Sequence, residues 1–137
     1  MIKFQSRYDN NAYRVSEYPL SNTVKSVEEG QLVTVKNGEV VLATSKDKCA
    51  FVCMGSKRQG RDLVGGRICK QITFLVGKSM LFTNCFDASK TYKDTEMTPL
   101  KCNDKSMYEP ASGPSDNVIA YAVGGVKDGY LRVITLL

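Results

Sequence analysis

The dipeptide Asn37-Gly38, which lies between two runs of aliphatic residues, constrains the fold of this chain more than any other feature. A type I′ turn needs positive φ at both central residues, and Asn-Gly adopts it readily. A two-residue turn fixes the register of its flanking strands, so Lys36 is predicted to face Glu39. One face of the hairpin then carries four aliphatic side chains and is predicted to pack in a core: Val33, Val35, Val40 and Leu42.

The rest of the chain repeats this pattern of short apolar runs separated by Gly, Asp or Asn turns. About eight such runs, with frequent turn signals, predict a small all-β barrel or sandwich of mainly antiparallel strands. Residues 118–123 and 130–136 are predicted to be its closing pair of strands. No stretch shows a capped helical period, so at most one short helix is expected, in residues 88–96. The length of 137 residues predicts a single domain.

The first 22 residues differ from the rest of the chain because they are polar and carry no clear period. We therefore predict an extended N-terminal arm over residues 1–22 and a β-barrel or sandwich domain over residues 23–137. The arm has two interpretations: a poorly ordered terminus, or a segment that orders on a neighbouring subunit. Tyr and Arg side chains often anchor protein interfaces, so the second interpretation makes five residues interface candidates: Arg7, Tyr8, Tyr13, Arg14 and Tyr18.

The chain has a modest net charge of +5, and its basic residues are densest in residues 57–70. Lys57, Arg58 and Arg61 lie in this segment, and Arg67 and Lys70 lie at its end. Its glycines do not match a phosphate-binding loop. Three interpretations stay open: a solvated loop, a docking loop for an acidic protein surface, or a contact with the nucleic-acid backbone.

Reactive residue patterns are scarce. The chain contains no histidine, the commonest general base in enzymes. Its five cysteines lie mostly in strand-like runs and are predicted to be buried free thiols, with a disulfide or a zinc site as weaker alternatives. We therefore predict no catalytic, cofactor-binding or metal-binding residues, and keep a β-barrel enzyme or ligand carrier only as an alternative.

The N-terminal residues lack the apolar stretch of a signal peptide, and no apolar run is long enough to span a membrane. We therefore expect synthesis in a reducing cytoplasm and no membrane partner.

Several short segments together resemble one family over about 110 residues, from residue 27 onward. They are 29–35 (EGQLVTV), 38–43 (GEVVLA), 70–76 (KQITFLV), 86–92 (FDASKTY), 97–100 (MTPL), 117–124 (NVIAYAVG) and 129–136 (GYLRVITL). In order and character these segments are similar to the small β-rich decoration proteins of tailed-bacteriophage heads, also called cement or auxiliary capsid proteins. The chain departs from that family at Lys93-Asp94, where a turn with glycine is more typical.

This resemblance implies a virion structural protein on the capsid exterior, made in the host cytoplasm and without catalytic activity. Its partner would be the lattice of the major capsid protein, which it would bind as a homo-oligomer such as a trimer. The contacts would come from the arm and from Lys57, Arg58 and Arg61. Many copies would make individually weak contacts effective. The alternative function is a small nucleic-acid-binding β-barrel using residues 57–70; no cofactor is implied, and nucleic acid is otherwise not an expected partner.

Overall fold

The computed structural model describes residues 2–4, 13–58, 63–64, 67–68, 71–113 and 116–136. These residues form fifteen strands, numbered in chain order, and no helix. The larger sheet has six antiparallel strands in the order β1 (Ile2–Phe4), β11 (Met80–Thr83), β15 (Leu131–Thr135), β14 (Ala120–Val123), β12 (Met97–Cys102) and β13 (Tyr108–Pro110).

The second sheet has five antiparallel strands in the order β2 (Tyr13–Pro19), β10 (Gln71–Val76), β6 (Phe51–Cys53), β4 (Leu32–Lys36) and β5 (Glu39–Leu42). Two short pairs complete the described strands: β3 (Ser26–Val27) with β7 (Lys57–Arg58), and β8 (Leu63–Val64) with β9 (Arg67–Ile68). The predicted all-β class is confirmed. The structure has more strands than the roughly eight that were predicted, because several contain only two or three residues.

Both hairpins predicted from the sequence are present. In the first, Lys36 faces Glu39, and Asn37 and Gly38 have φ of 53° and 75°. Positive φ at both positions is what a type I′ turn requires. The second hairpin joins β14 to β15, and its turn residues Asp128 and Gly129 also have positive φ, of 53° and 79°. Local turn chemistry therefore sets the register of both strand pairs.

The five-stranded sheet is covered on both faces. One face packs with the six-stranded sheet around a core that includes Leu32, Val52 and Leu75. The opposite face carries a second cluster, which contains the predicted hairpin patch. Val33 and Val40 are fully buried there, whereas Val35 and Leu42 are half-buried.

The two edges of this sheet approach each other. Leu20, directly after β2, forms a parallel bridge with Val40 on β5, and the Ser21 NH donates to the Val40 carbonyl oxygen at 2.9 Å. This contact curls the sheet around the second cluster, where Leu20, Val24 and Val27 are buried. The body is therefore a small curled sheet packed against an open six-stranded sheet.

The predicted N-terminal arm needs correction where the structure describes it. Tyr13–Pro19 is not extended away from the body but forms β2, which pairs antiparallel with β10. Ile2–Phe4 likewise forms an edge strand, paired with β11. Both strands satisfy backbone hydrogen bonds that a free arm would leave to water. Residues 5–12, including Arg7 and Tyr8, lie outside the described residues, so an arm there stays a prediction.

No helix forms in residues 88–96, where the sequence permitted one. The Asp87 carboxylate instead accepts hydrogen bonds from the Ser89 NH at 3.0 Å and from the Ser89 hydroxyl at 2.6 Å. A side chain that bonds its own backbone two residues on stabilises a turn in competition with a helix. The Lys90 NH also donates to the Asp87 carbonyl oxygen, at 3.2 Å. These residues therefore form a compact turn.

Candidate protein-binding face

Strands β11, β12, β14 and β15 carry apolar side chains on both faces of the six-stranded sheet. Their inward residues are fully buried in the core, as Leu81, Leu100, Ala122 and Val133 show. The alternating positions point to the other side because successive strand residues face opposite ways. We call these eight residues the outer face: Met80, Phe82, Met97, Pro99, Tyr121, Val123, Arg132 and Ile134.

The side chains of the outer face form two rows that run across the strands. Phe82 pairs with Arg132, and Val123 pairs with Met97, so these side chains form one row across four strands. The neighbouring row contains only apolar residues: Met80, Ile134, Tyr121 and Pro99. Met97 is 53% exposed, whereas most of the other apolar members are half-buried and Met80 is buried.

Such a face is unusual for a sheet side that contacts water. Antiparallel sheets with one solvated face normally alternate apolar inward and polar outward residues. In the two rows every outward residue except Arg132 is apolar, and the remaining outward residue of β12 is Lys101. Aromatic residues, Met and Arg are enriched in protein interfaces, and contiguous apolar patches commonly mark binding sites. The composition of the outer face is therefore that of a protein-binding surface.

A groove of about 670 Å³ lies at one end of the outer face. Its floor includes Phe82, Met97 and Val123, and its walls are residues 94–96 and the β14–β15 turn. The Gly124 NH approaches the Glu96 carbonyl oxygen at 3.4 Å, which joins the two walls.

The wall formed by residues 94–96 is anchored by a buried aromatic pair. The rings of Tyr92 and Phe86 meet edge to face, with centroids 5.5 Å apart. The Tyr92 hydroxyl donates to the Asp87 carbonyl oxygen at 3.0 Å. Burial raises the pKa of this hydroxyl, so it stays a neutral donor. Tyr92 therefore holds the segment that follows it at a fixed place beside the sheet.

The close contact between the two walls depends on a missing side chain. A Cβ at Gly125 would overlap the Asp94 carboxylate and would lie 3.0 Å from the Tyr92 carbonyl oxygen. Glycine at this position therefore lets Asp94 lie directly against the hairpin.

Charged residues flank the apolar rows at the β12–β13 side, and Arg132 lies within one row. Lys101 contacts the carboxylates of Glu109 and Asp116, each at 3.6 Å, at the β12–β13 side of the sheet. The Arg132 guanidinium carbon lies 5.6 Å from the centroid of the Phe82 ring, a cation–π arrangement. An apolar centre with a polar rim is the usual anatomy of a protein interface.

The predicted interface residues of the N-terminal segment differ in how exposed they are. Tyr13 is 65% exposed and Arg14 is also exposed, both on β2. Tyr18 stacks on Phe74 with ring centroids 6.4 Å apart and belongs to the second cluster. Tyr18 therefore packs within the body, and Tyr13 and Arg14 are the described candidates that stay accessible.

The basic segment is described only in part. The backbone of Lys57 and Arg58 forms β7 and pairs with Ser26–Val27. Arg61 and Lys70 lie outside the described residues. The structure therefore does not bring these predicted site residues into a described cluster, and their roles in binding an acidic surface or nucleic acid stay predictions.

The described cysteines are free thiols with different surroundings. Cys53, Cys85 and Cys102 are buried as predicted, and burial raises the pKa of each thiol, to about 11 for Cys85 and about 12 for Cys102. Cys49 is exposed, which corrects the prediction for that residue: it lies two residues before β6 begins instead of within the strand. Cys69 lies outside the described residues. Neutral thiols are poor nucleophiles, so the three buried cysteines have a packing role.

The part of the chain that the structure describes contains neither a grouped set of metal ligands nor a membrane-spanning helix. No group of three or more Cys, Asp or Glu side chains within it is arranged to hold a metal ion. The same residues contain no helix that could span a membrane. Comparisons with protein-family models, curated proteins and solved structures found no match.

The outer face was not predicted from the sequence, although a signal for it exists. Residues 120–123 (AYAV) and 80–83 (MLFT) are apolar at nearly every position instead of alternating with polar residues. That pattern is typical of strands covered on both faces. Burial in the structure separates the two faces: Ala122 and Val133 on the inner face are fully buried, whereas Met97 on the outer face is 53% exposed.

Proposed function

We propose that this protein is a structural protein of a phage particle, which binds the lattice of the major capsid protein and stabilises it without catalysing a reaction. The observation that carries the proposal is the apolar outer face of the six-stranded sheet, because such a face gains free energy when another protein covers it. The resemblance of the sequence to capsid decoration proteins supports the choice of partner.

The described body suits this role mechanically. The five-stranded sheet has cores on both faces, and its edges meet at Leu20 and Val40. Close-packed interiors have low compressibility and transmit strain. A rigid body that bridges neighbouring capsid subunits would resist their separation. Because many copies would bind the same lattice, contacts that are weak individually would together stabilise it.

Co-sedimentation tests the proposal. Undecorated capsids would be assembled from the major capsid protein encoded in the same genome and mixed with the purified protein. We expect the protein to sediment with the capsids and to saturate at a fixed ratio to the capsid subunit. A protein that stays in the supernatant at every concentration would overturn the proposal.

A matched pair of variants assigns the binding to the outer face. Val123→Asp places a charge on the outer face at the end that holds the groove, where burial against a partner would be costly. Asn37→Asp adds the same charge at an exposed turn of the other sheet, and Asp-Gly still favours a type I′ turn. We expect Val123→Asp to abolish co-sedimentation and Asn37→Asp to retain it.

A further inference from the structure

The groove at the end of the outer face has an unequal distribution of charge. Its lining includes the carboxylates of Asp94, Glu96 and Asp128 and the cations Lys127 and Arg132. Glu96 accepts from Lys93 at 3.3 Å. Among the described residues, neither Asp94 nor Asp128 has an ion-pair partner within 4.0 Å. The end of the groove formed by the two walls therefore carries two acidic groups without a described counter-charge.

Asp94 is held at this end by the shape of its neighbour. The absent Cβ of Gly125 leaves the space that its carboxylate occupies. Asp128 lies in the tight Asp128-Gly129 turn of the opposite wall, where both φ values are positive.

The apolar part of the groove is open beside these acids. Arg132 on β15 is directed at the ring of Phe82 on β11. Val123 lies on β14, the strand on the other side of β15. Val123 and Met97 therefore form an apolar surface that the guanidinium does not cover. This arrangement places a site for an apolar side chain next to a site for a positive charge.

We propose that the groove binds an extended segment of the partner protein, in which a lysine or arginine lies two residues from a large apolar residue, so that both side chains face the groove. The cation pairs with Asp94 and Asp128, and the apolar side chain packs on Met97 and Val123. The net charge of +5 does not prevent this contact, because charges beyond about 8 Å are screened at physiological salt. This inference rests on the proposed function and specifies which kind of capsid segment the outer face takes.

A peptide titration followed by backbone amide NMR tests the inference. The probes are an extended peptide that repeats the sequence valine, serine, lysine, serine, which places valine and lysine on one face, and a matched peptide with glutamate in place of lysine. We expect the lysine peptide to shift the amide signals of residues 94–97 and 123–128, and the glutamate peptide to leave them unchanged. Equal binding of both peptides, no binding of the lysine peptide, or shifts confined to other residues would overturn the inference.

A charge-neutral variant separates recognition from packing. Asp94→Asn with Asp128→Asn removes both carboxylates while keeping side chains of similar size, and Asn also tolerates the positive φ of position 128. Exposed ion pairs contribute up to about 1 kcal/mol each, so we expect about threefold to tenfold weaker binding of the lysine peptide. Unchanged affinity would contradict the pairing.

Two further measurements separate this inference from the proposed function. If the unmodified protein sediments with capsids and the double Asn variant does so equally well, the inference fails and the proposed function stands. If the unmodified protein does not sediment with capsids but binds the lysine peptide at the groove, the proposed function fails alone. A second copy of this chain could also cover the outer face, and a concentration series in analytical ultracentrifugation tests for it. Self-association that Val123→Asp abolishes would assign the face to a second copy and overturn the inference.

Discussion

Val123 and Met97 lie directly opposite each other on neighbouring strands, and both side chains point away from the core of the protein. Ala122, which precedes Val123 in the sequence, points the other way and is fully buried in that core. A side chain on one face of this sheet therefore stabilises the fold, whereas one on the other face is available to a partner.

Two valines on adjacent strands test this division directly. Val133 is fully buried on the inner face, and Val123 is half-buried on the outer face. Because truncation of a buried side chain leaves a cavity, we expect Val133→Ala to lower the free energy of unfolding by about 2 kcal/mol. Val123→Ala should cost less than about 1 kcal/mol. Urea unfolding of both variants measures the difference, and equal losses would contradict the assignment of the faces.

The turn of the first hairpin offers a second test. A Cβ at Gly38 would meet no atom within 4 Å, so Gly38→Ala should destabilise the protein only through the positive φ of 75°. That cost is about 1 kcal/mol. Gly55→Ala is the matched control, since its Cβ also meets nothing and its φ is not positive. Thermal unfolding should show a clear loss for Gly38→Ala alone; an equal loss in the control would refute the turn argument.

The ion pair between Lys36 and Asp47, 2.8 Å apart, predicts a pH dependence of stability. Burial acts to raise the pKa of Asp47, but hydrogen bonds from Lys36 and the Thr44 NH and the charge of Lys36 outweigh it, so the pKa lies below its usual value. A lowered pKa in the folded state gives stability that is present above the unfolded pKa and lost as the pH falls through the folded pKa. The contribution of Lys36 should therefore vanish in strong acid.

Lys36→Met measures this contribution. Because Lys36 is 55% exposed, we expect a loss of only about 0.5 kcal/mol at pH 7, shrinking as the pH falls from about 5 to about 2. Lys25→Met removes an exposed lysine that has no ion pair among the described residues and should show no such trend. Denaturant unfolding at several pH values provides the data. A loss for Lys36→Met that is constant with pH would rule out the pairing.

The cysteines should differ in reactivity. Cys49 is exposed, whereas Cys53, Cys85 and Cys102 are buried with raised pKa values. At pH 8 we expect iodoacetamide to modify Cys49 rapidly in the folded protein and to reach the other three only after unfolding. Peptide mapping by mass spectrometry identifies each site. Rapid modification of Cys85 or Cys102 in the folded state would contradict the packing described for the core.

The parts of the fold that were predictable from the sequence are those governed by local chemistry. Asn37-Gly38 fixes the register of the first hairpin by its turn type. The all-β class also follows from short apolar runs and frequent turn signals. In each case the deciding interactions lie within a few residues of one another.

The parts that were not predictable depend on contacts between distant residues. Nothing near Tyr13–Pro19 indicates that it pairs with Gln71–Val76, more than 50 residues away. The outward position of Val123 is equally unpredictable, because a sequence that is apolar on both faces of a strand looks the same whether its second face meets the same chain or another protein. The burial of individual residues in the structure distinguishes these cases.

Oxidative footprinting of Met97 on capsid particles tests most directly whether the outer face is the surface that binds. Met97 is 53% exposed in the free protein and should form its sulfoxide readily, whereas the capsid-bound protein should be protected at this residue. Exposed Cys49, which lies outside the outer face, serves as the internal control and should stay reactive in both states. Equal oxidation of Met97 in the free and bound protein, with bound protein verified by co-sedimentation, would contradict the account.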